Sequence, residues 1–588
     1  MTGPREIYEA VEIDVPFCQN TFGTAPCTAA LGPSVLAKCW NLRKNCADPA
    51  NYAEGTPLTL SFTKVGSPIP KGQFSFPALE RASATSATVN IAGSAPDMGA
   101  LGRRATLDVT LRDFTYDDVR IDPYQSQRIS GAALYSGVGY NPKDNGTFLA
   151  RIKARFPYYA GKTIRLIRGY LENGALVDVQ TRTFQIKEWT GPDDNGSHRI
   201  AGIDVLDLAN ERTALAPKPS SGLLTLDITA GQTSFTVTPT GAGAGYAASG
   251  RLCIGSEIMG FTRASDTFTV TRGIRNTTAA THSQGDTVQE TLSYDLARLD
   301  DVASDLILNF TGTSSTWLDA GQLAIWAAEV TRWGLSVKLT TDITTPTPVA
   351  TLLAELGDLG CTVWPDLEAG KMQLQMNRPL DGEVARDVDD KTIISLDQED
   401  RDDDRLTQVL FYGKRFDPTK SLTDDSNYGI KILTADPTSY TLYGGVKSRK
   451  IYTRWLDQGD QTTMLIASTR LLRRLLSAPK RITVKLDEKD SDIKLVDVLN
   501  LQSDLVSGSD GVSVPTLFQV IGRSEPVPNV NVEVTLQSYN FAGRNPYIAP
   551  PGTPDYNTAT AAEREAFSFI SAPSAPYFPD NSEPYRII

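Results

Sequence analysis

Histidine is almost missing from this 588-residue chain, which has only His198, in DDNGSHR, and His282, in TTAATHSQGD. Histidine-based acid–base or zinc-peptidase chemistry therefore has little raw material, and there is no His-Glu-x-x-His helix. Long apolar runs are missing too: none approaches the ~20 residues that span a bilayer, so stable membrane insertion is not expected. The opening residues, MTGPREIYEA, lack the basic start and apolar stretch of a secretory signal, which predicts folding in a reducing cytosol. Positive charge is in deficit. With 57 basic against 69 acidic side chains the formal charge is −12, which disfavours tight, counterion-releasing attachment to nucleic acid.

Cysteine is scarce as well, at six, yet four of the six fall within the first 46 residues, as Cys18, Cys27, Cys39 and Cys46. Eight, eleven and six residues separate them, so the paired Cys-x-x-Cys knuckles of most structural zinc sites and the tight runs of soluble ferredoxins are absent. Four thiolates in one irregular stretch suit a [4Fe–4S] cluster, in which each iron takes one ligand. Four-cysteine zinc and two disulfides are the alternatives, and a reducing cytosol argues against the disulfides. Cys253 and Cys361 sit among apolar neighbours and read as buried core thiols.

Length sets an expectation of roughly four domains, each with its own core. Residues 1–57 read as a cysteine-rich arm anchored by Trp40 and Tyr52. Segments 58–65, 105–112 and 163–170 alternate apolar and polar residues between turn signals, so 58–220 reads as a β-rich domain. In it, Asn195–Gly196 is expected to supply the positive-φ positions of a hairpin loop. After the linker LAPKPSSG, residues 221–290 read as a small β insertion module. Helical stripes follow: Leu292, Leu296, Leu299, Val302 and Leu306; then Leu323, Trp326, Val330 and Trp333; then Val349, Leu352, Leu356 and Leu359. With the hairpin expected at Glu368–Ala369–Gly370, they define an α/β domain over 291–400. Residues 401–549 read as a second β-rich domain, in which a helix with Met464, Ala467, Leu471 and Leu475 inward and Arg470, Arg473 and Arg474 outward precedes a final β section from Arg481 to Ser538. The acidic run 387–404 lacks the glycine-centred loop and closing Glu of an EF-hand and reads as a solvated face. Residues 550–588 are rich in Pro, Ser and aromatics, including Phe567, Phe569, Ile570, Tyr577, Phe578 and Tyr585; this is expected to be an extended tail that docks on a partner. The fold class is thus α+β, β-rich and multidomain.

The passages RATLDVTLRDFTYDDVRIDPY, NGTFLARIKARFPYYAGKTIRLIRGYL and TRTFQIKEWTGPDDNGSHRIAGIDVLDLANERTALAP resemble the baseplate hub and minor tail proteins of long-tailed bacteriophages and gene transfer agents. GRLCIGSEIM with DTFTVTRG and THSQGDTVQ is similar to a small β module of phage tail proteins, and TLLAELGDLGCTVWPDLEAGKMQLQ and FQVIGRSEP to later hub domains. The resemblance implies β-barrel-like tube domains, two per subunit, in a homotrimeric ring that closes a six-fold tail tube at the tail tip or baseplate of a virion assembled in a host cytoplasm. Its partners would be the distal tail protein, the tape-measure protein and central fibre or tail-tip proteins, with DNA present only in transit during ejection. Open sheet edges would be covered between subunits of such a ring. Minor tail proteins of the lambda L type carry an iron–sulfur site, which implies [4Fe–4S] rather than zinc on Cys18, Cys27, Cys39 and Cys46, although their cysteines lie elsewhere in the chain. A non-enzymatic role is expected. The alternatives are a tail-tip cell-wall hydrolase and a receptor-binding adhesin.

Overall fold

A computed structural model describes residues 5–31, 38–85, 87–210, 212–333, 337–476, 479–507, 511–527, 530–541 and 558–560. The expected docking tail thus lies outside the described residues except for 558–560. The chain is β-rich, with three closed or nearly closed sheets around separate cores and a helical layer between them.

The first sheet is built from β1 (Glu6–Val15), β2 (Leu58–Thr63), β3 (Leu79–Ala84), β5 (Thr106–Arg112), β6 (Thr163–Glu172), β7 (Ala175–Thr190) and β8 (Ser197–Ile203), while β4 (Ala87–Thr88), between β3 and β5 in sequence, belongs to another sheet. The order of the first sheet is β2-β1-β6-β7-β8-β5-β3. The end strands meet: Phe62 bridges Phe76, whose N–H donates to the Ser61 carbonyl at 2.8 Å just ahead of β3. Alternate residues point into the barrel, among them Val11, Ile13, Val15, Leu107, Val109, Leu111, Ile164 and Leu166, as the two-residue strand period requires. Two short helices, α1 (Gln125–Ile129) and α2 (Phe148–Arg155), follow β5, and α2 buries Phe148, Leu149 and Ile152 in the same core.

Here the structure departs from the expected 1–57 arm. β1 pairs with both β2 and β6, so only residues 16–57 stand outside the barrel. The alternation of EIYEAVEIDV fills an inner strand, with a burial pattern that tracks it. The hairpin after β7 also differs in detail, because Gly191 and Gly196 take positive φ (97° and 75°) and Asn195 does not. At Gly191 an added Cβ would sit 2.5 Å from the Ser197 carbonyl oxygen.

Residues 223–290 form a six-stranded sheet with its own core of Phe235, Tyr246, Met259, Phe261 and Phe268. Leu223 bridges Thr287 and joins the two ends of that sheet. The next segment corrects the first helical stripe. Leu292–Arg298 is a strand paired with Lys338–Ile343, broken by a bulge at which Leu296 takes φ 52° and is exposed. The helix α3 (Leu299–Phe310) starts only at Leu299, and α4 (Ala320–Arg332) and α5 (Val349–Asp358) follow. Their apolar faces share one core with the strands Gln408–Arg415 and Ser448–Tyr452 and with the face of α7 (Gln461–Leu475), which comes after the short α6 (Pro437–Leu442). No core boundary therefore falls at residue 400.

The second barrel orders its strands as Arg386–Asp389, Val498–Gln502, Thr516–Val527, Asn531–Ser538, Lys480–Asp487 and Ile393–Asp400. The two end strands are consecutive in sequence, with only residues 390–392 between them. Six flat strands would hold these ends about 24 Å apart, whereas such a link spans at most about 15 Å, so the sheet must curl. β4, which follows β3 of the first barrel, pairs with Thr516–Val527 of the second, and the segment after it packs Val89, Ile91 and Ala95 against Trp364, Val496 and Ile521. Between the helical layer and this barrel lies Arg474, expected outward but buried. It donates to Asn377 Oδ1 at 3.2 Å and Gln537 Oε1 at 3.4 Å. The reason is that α7 is covered on a second side, which its charge pattern does not reveal.

Candidate metal centre

Among the described residues of 16–57 the only buried apolar side chains are Ala29 and Leu42, and polar staples hold the loop in shape. The Cys18 N–H donates to the Asn41 carbonyl at 2.7 Å, while Cys18 bridges Glu54 and the Gln19 N–H donates to Ala53. This joins the first cysteine to the segment around the third and to the end of the loop. The Asp48 carboxylate accepts from the N–H and hydroxyl of Thr28, at 2.7 and 2.9 Å, and from Asn51 Nδ2 at 3.0 Å. These hydrogen bonds hold its pKa below the ordinary aspartate value, with Asn51 the leading contributor. Asp48 thereby ties the residue after Cys27 to the turn that follows Cys46. Arg128, fully buried, pairs with Asp122 at 2.5 Å and donates to the carbonyls of Lys38 at 3.2 Å and Cys39 at 2.9 Å.

The result is that Cys18, Cys27, Cys39 and Cys46 line one small, nearly filled cavity, with about 10 Å³ of free space, together with Asn20, Asn41, Asp48 and Tyr52. All four expected site residues are thus brought together. The six cysteines of the chain are free thiols. Burial, reinforced by the neighbouring thiols, raises the pKa of Cys39 and Cys46. Among the described residues no group of three or more His, Cys, Asp or Glu side chains is arranged to hold a single metal ion. Two cations flank the site. The Arg128 and Arg155 guanidiniums lie 3.3 and 3.6 Å from the centroid of the Trp40 ring, next to Cys39. Trp40 was legible as an anchor of this loop; the arginines were not, because they lie about 90 and 115 residues downstream.

The remaining candidates are structural. His198 is fully buried on β8 rather than in an exposed turn. The Trp189 indole N–H donates to its Nδ1 at 3.1 Å, so Nε2 carries the proton and donates to Asp113 Oδ2 at 3.0 Å. Asp113 also accepts the N–H groups of Leu149 and Ala150 at the start of α2. Burial alone would raise its pKa, but the hydrogen bonds from His198, Thr147 and the backbone outweigh this and hold it at about 2. In the insert His282 meets Glu257 at 2.8 Å, and Arg272 clamps the same carboxylate through two bonds of 2.7 Å. Cys253 and Cys361 are buried, and burial pushes the Cys253 thiol up to about 12. In the acidic run Asp404 faces Arg401 and Arg481.

No helix among the described residues is long and apolar enough to cross a membrane. No protein-family model and no curated protein matches the chain. Among solved structures it is similar to the tail protein from Neisseria meningitidis MC58, at 10% identity over 80% of this chain and 95% of that one, with a TM-score of 0.35. It is also similar to a tail protein of prophage MuSo2 from Shewanella oneidensis, at 9% identity over 79% and 98% of the two chains, with a TM-score of 0.32. A third similar chain belongs to the virion of a native gene transfer agent particle, at 10% identity over 56% and 91%, with a TM-score of 0.29.

Proposed function

We propose that this chain is a structural, non-enzymatic tail protein of a bacteriophage-type particle, the hub of its tail tip, and that Cys18, Cys27, Cys39 and Cys46 hold a [4Fe–4S] cluster. The convergence of four free thiols on one cavity carries the cofactor reading. Zinc bound by all four sulfurs, each about 2.3 Å from one ion, is the alternative. A cubane needs one thiolate per iron, with the sulfurs held apart around it. When bound, the cluster would supply covalent anchorage, and hence folding free energy, to a loop with few apolar groups. Arg128 and Arg155 would balance its negative charge across Trp40, and Asp48 and Arg128 would fix the backbone that presents the ligands.

The hub reading is supported by where the phage-like passages fall. RATLDVTLRDF covers β5, the next two passages cover α2 and β6 to β8, and FQVIGRSEP lies on Thr516–Val527. The resemblance therefore extends to both large barrels, and two barrels per chain in a trimer present six to a six-fold tube. Its partners would be the distal tail protein, the tape-measure protein and a central fibre. The net charge of −12 suits a wall past which DNA slides without sticking. Labelled antibody on particles purified from a producing strain should mark the tail tip, with three copies per particle by quantitative mass spectrometry. Label on the capsid, or a copy number not divisible by three, would contradict the reading.

A further inference from the structure

Tyr52 stands out on the wall of the cysteine cavity. It caps the turn Pro49–Asn51, and the pairing of Cys18 with Glu54 brings it beside the first cysteine. The Arg43 guanidinium covers its ring at 5.2 Å. Its ring also borders an open groove with Arg43, Glu54 and Lys162, yet its hydroxyl oxygen is shut off from solvent and has no hydrogen-bond partner. A phenol is a good donor, and burying one unpartnered costs about 1–3 kcal/mol. Buried polar groups in native proteins nearly always find a partner, and the Tyr52 hydroxyl is one of those left without a protein partner among the described residues.

We infer that the Tyr52 hydroxyl donates a hydrogen bond to a sulfur of the cluster, a sulfide or a cysteine thiolate, and so sets the cluster's reduction potential. This rests on the cluster reading above. The argument is one of position and satisfaction: Tyr52 lines the cavity on which the four thiols converge, and the sulfurs of a bound cluster are the acceptors that such a cavity would contain. Hydrogen bonds to cluster sulfurs favour the reduced, more negative state, and they are among the terms that tune iron–sulfur potentials.

The test is an anaerobic redox titration of the full chain and of Tyr52→Phe, followed by electron paramagnetic resonance, with iron and sulfide assayed on both. The inference predicts equal cluster content and a lower midpoint potential in the variant, a tenfold weaker reduction or about 59 mV for one electron. Equal content with an unchanged potential would overturn the Tyr52 assignment and leave the cluster standing. No iron in the parent chain would overturn the cluster reading itself. If the variant fails to retain its cluster, electron-nuclear double resonance on the parent chain in H₂O and D₂O decides the matter: an exchangeable proton coupled to the cluster supports the assignment, and no such proton refutes it.

Discussion

Asp113 joins three elements through one carboxylate, accepting from His198 on β8 and from the first turn of α2 while sitting just after β5. Its pKa is about 2 in the folded protein, against about 3.9 in an unfolded chain. The folded value is the lower one, so the stabilisation is fully present above pH 4 and is lost as pH falls from 4 towards 2. It amounts to about 2 kcal/mol. Asp113→Asn is therefore predicted to speed hydrogen exchange in β8 roughly 5–30-fold at neutral pH and to flatten the dependence of that exchange on acid below pH 4. Unchanged exchange would show that the network carries no load. Little of this was legible beforehand. His198 stands in a polar string, and its burial comes from Trp189 across the hairpin and Asp113 some 85 residues away.

Local periodicity served well for elements whose partners are predictable from one face. The stripes of α4 and α5 and the inward residues of α7 are where their spacing puts them. It served poorly where a second neighbour covers the other side, as at Arg474, or where a strand runs straight into a helix, as at Leu292–Arg298. The cysteine loop was legible as a unit because its chemistry is concentrated in 29 residues, but it begins after the end of β1 at Val15 rather than at residue 1. That boundary shapes a prediction. Cys39→Ser should open residues 16–57 to limited proteolysis while β1 stays protected in the barrel, since β1 is hydrogen-bonded on both sides. Mass spectrometry of the fragments reads the cut sites, and cleavage spread through β5 to β8 would mean that the loop supports the barrel as well.

At the scale of the whole molecule, β-rich multidomain architecture was expected from the residues themselves, and barrel-like closure of the sheets only from the resemblance to hub proteins. Phe62 with Phe76, Leu223 with Thr287, and the 390–392 link bring the sheet ends together. The first and third of these links are short in sequence, yet they mark closure only once the order of the strands between the sheet ends is known, which composition and spacing do not report. Closure removes the open-edge argument for a trimer from the barrels, while the three-stranded sheet of Tyr428–Ala435, Gln408–Arg415 and Ser448–Tyr452 keeps its edges. The Pro- and aromatic-rich tail is predicted to provide one contact to a neighbouring tail protein. Truncation after Pro550 should leave a folded hub whose particles lack the distal partner, and particles that keep a complete tip after this truncation would refute the docking role.

The central claim, that four cysteines gathered from a coreless loop hold a [4Fe–4S] cluster, is tested most directly by iron and acid-labile sulfide analysis of the anaerobically purified chain. The account predicts about four irons and four sulfides per chain, with the broad visible absorbance of such a cluster, all lost in Cys39→Ser. One zinc per chain with no sulfide, or neither metal, would contradict it.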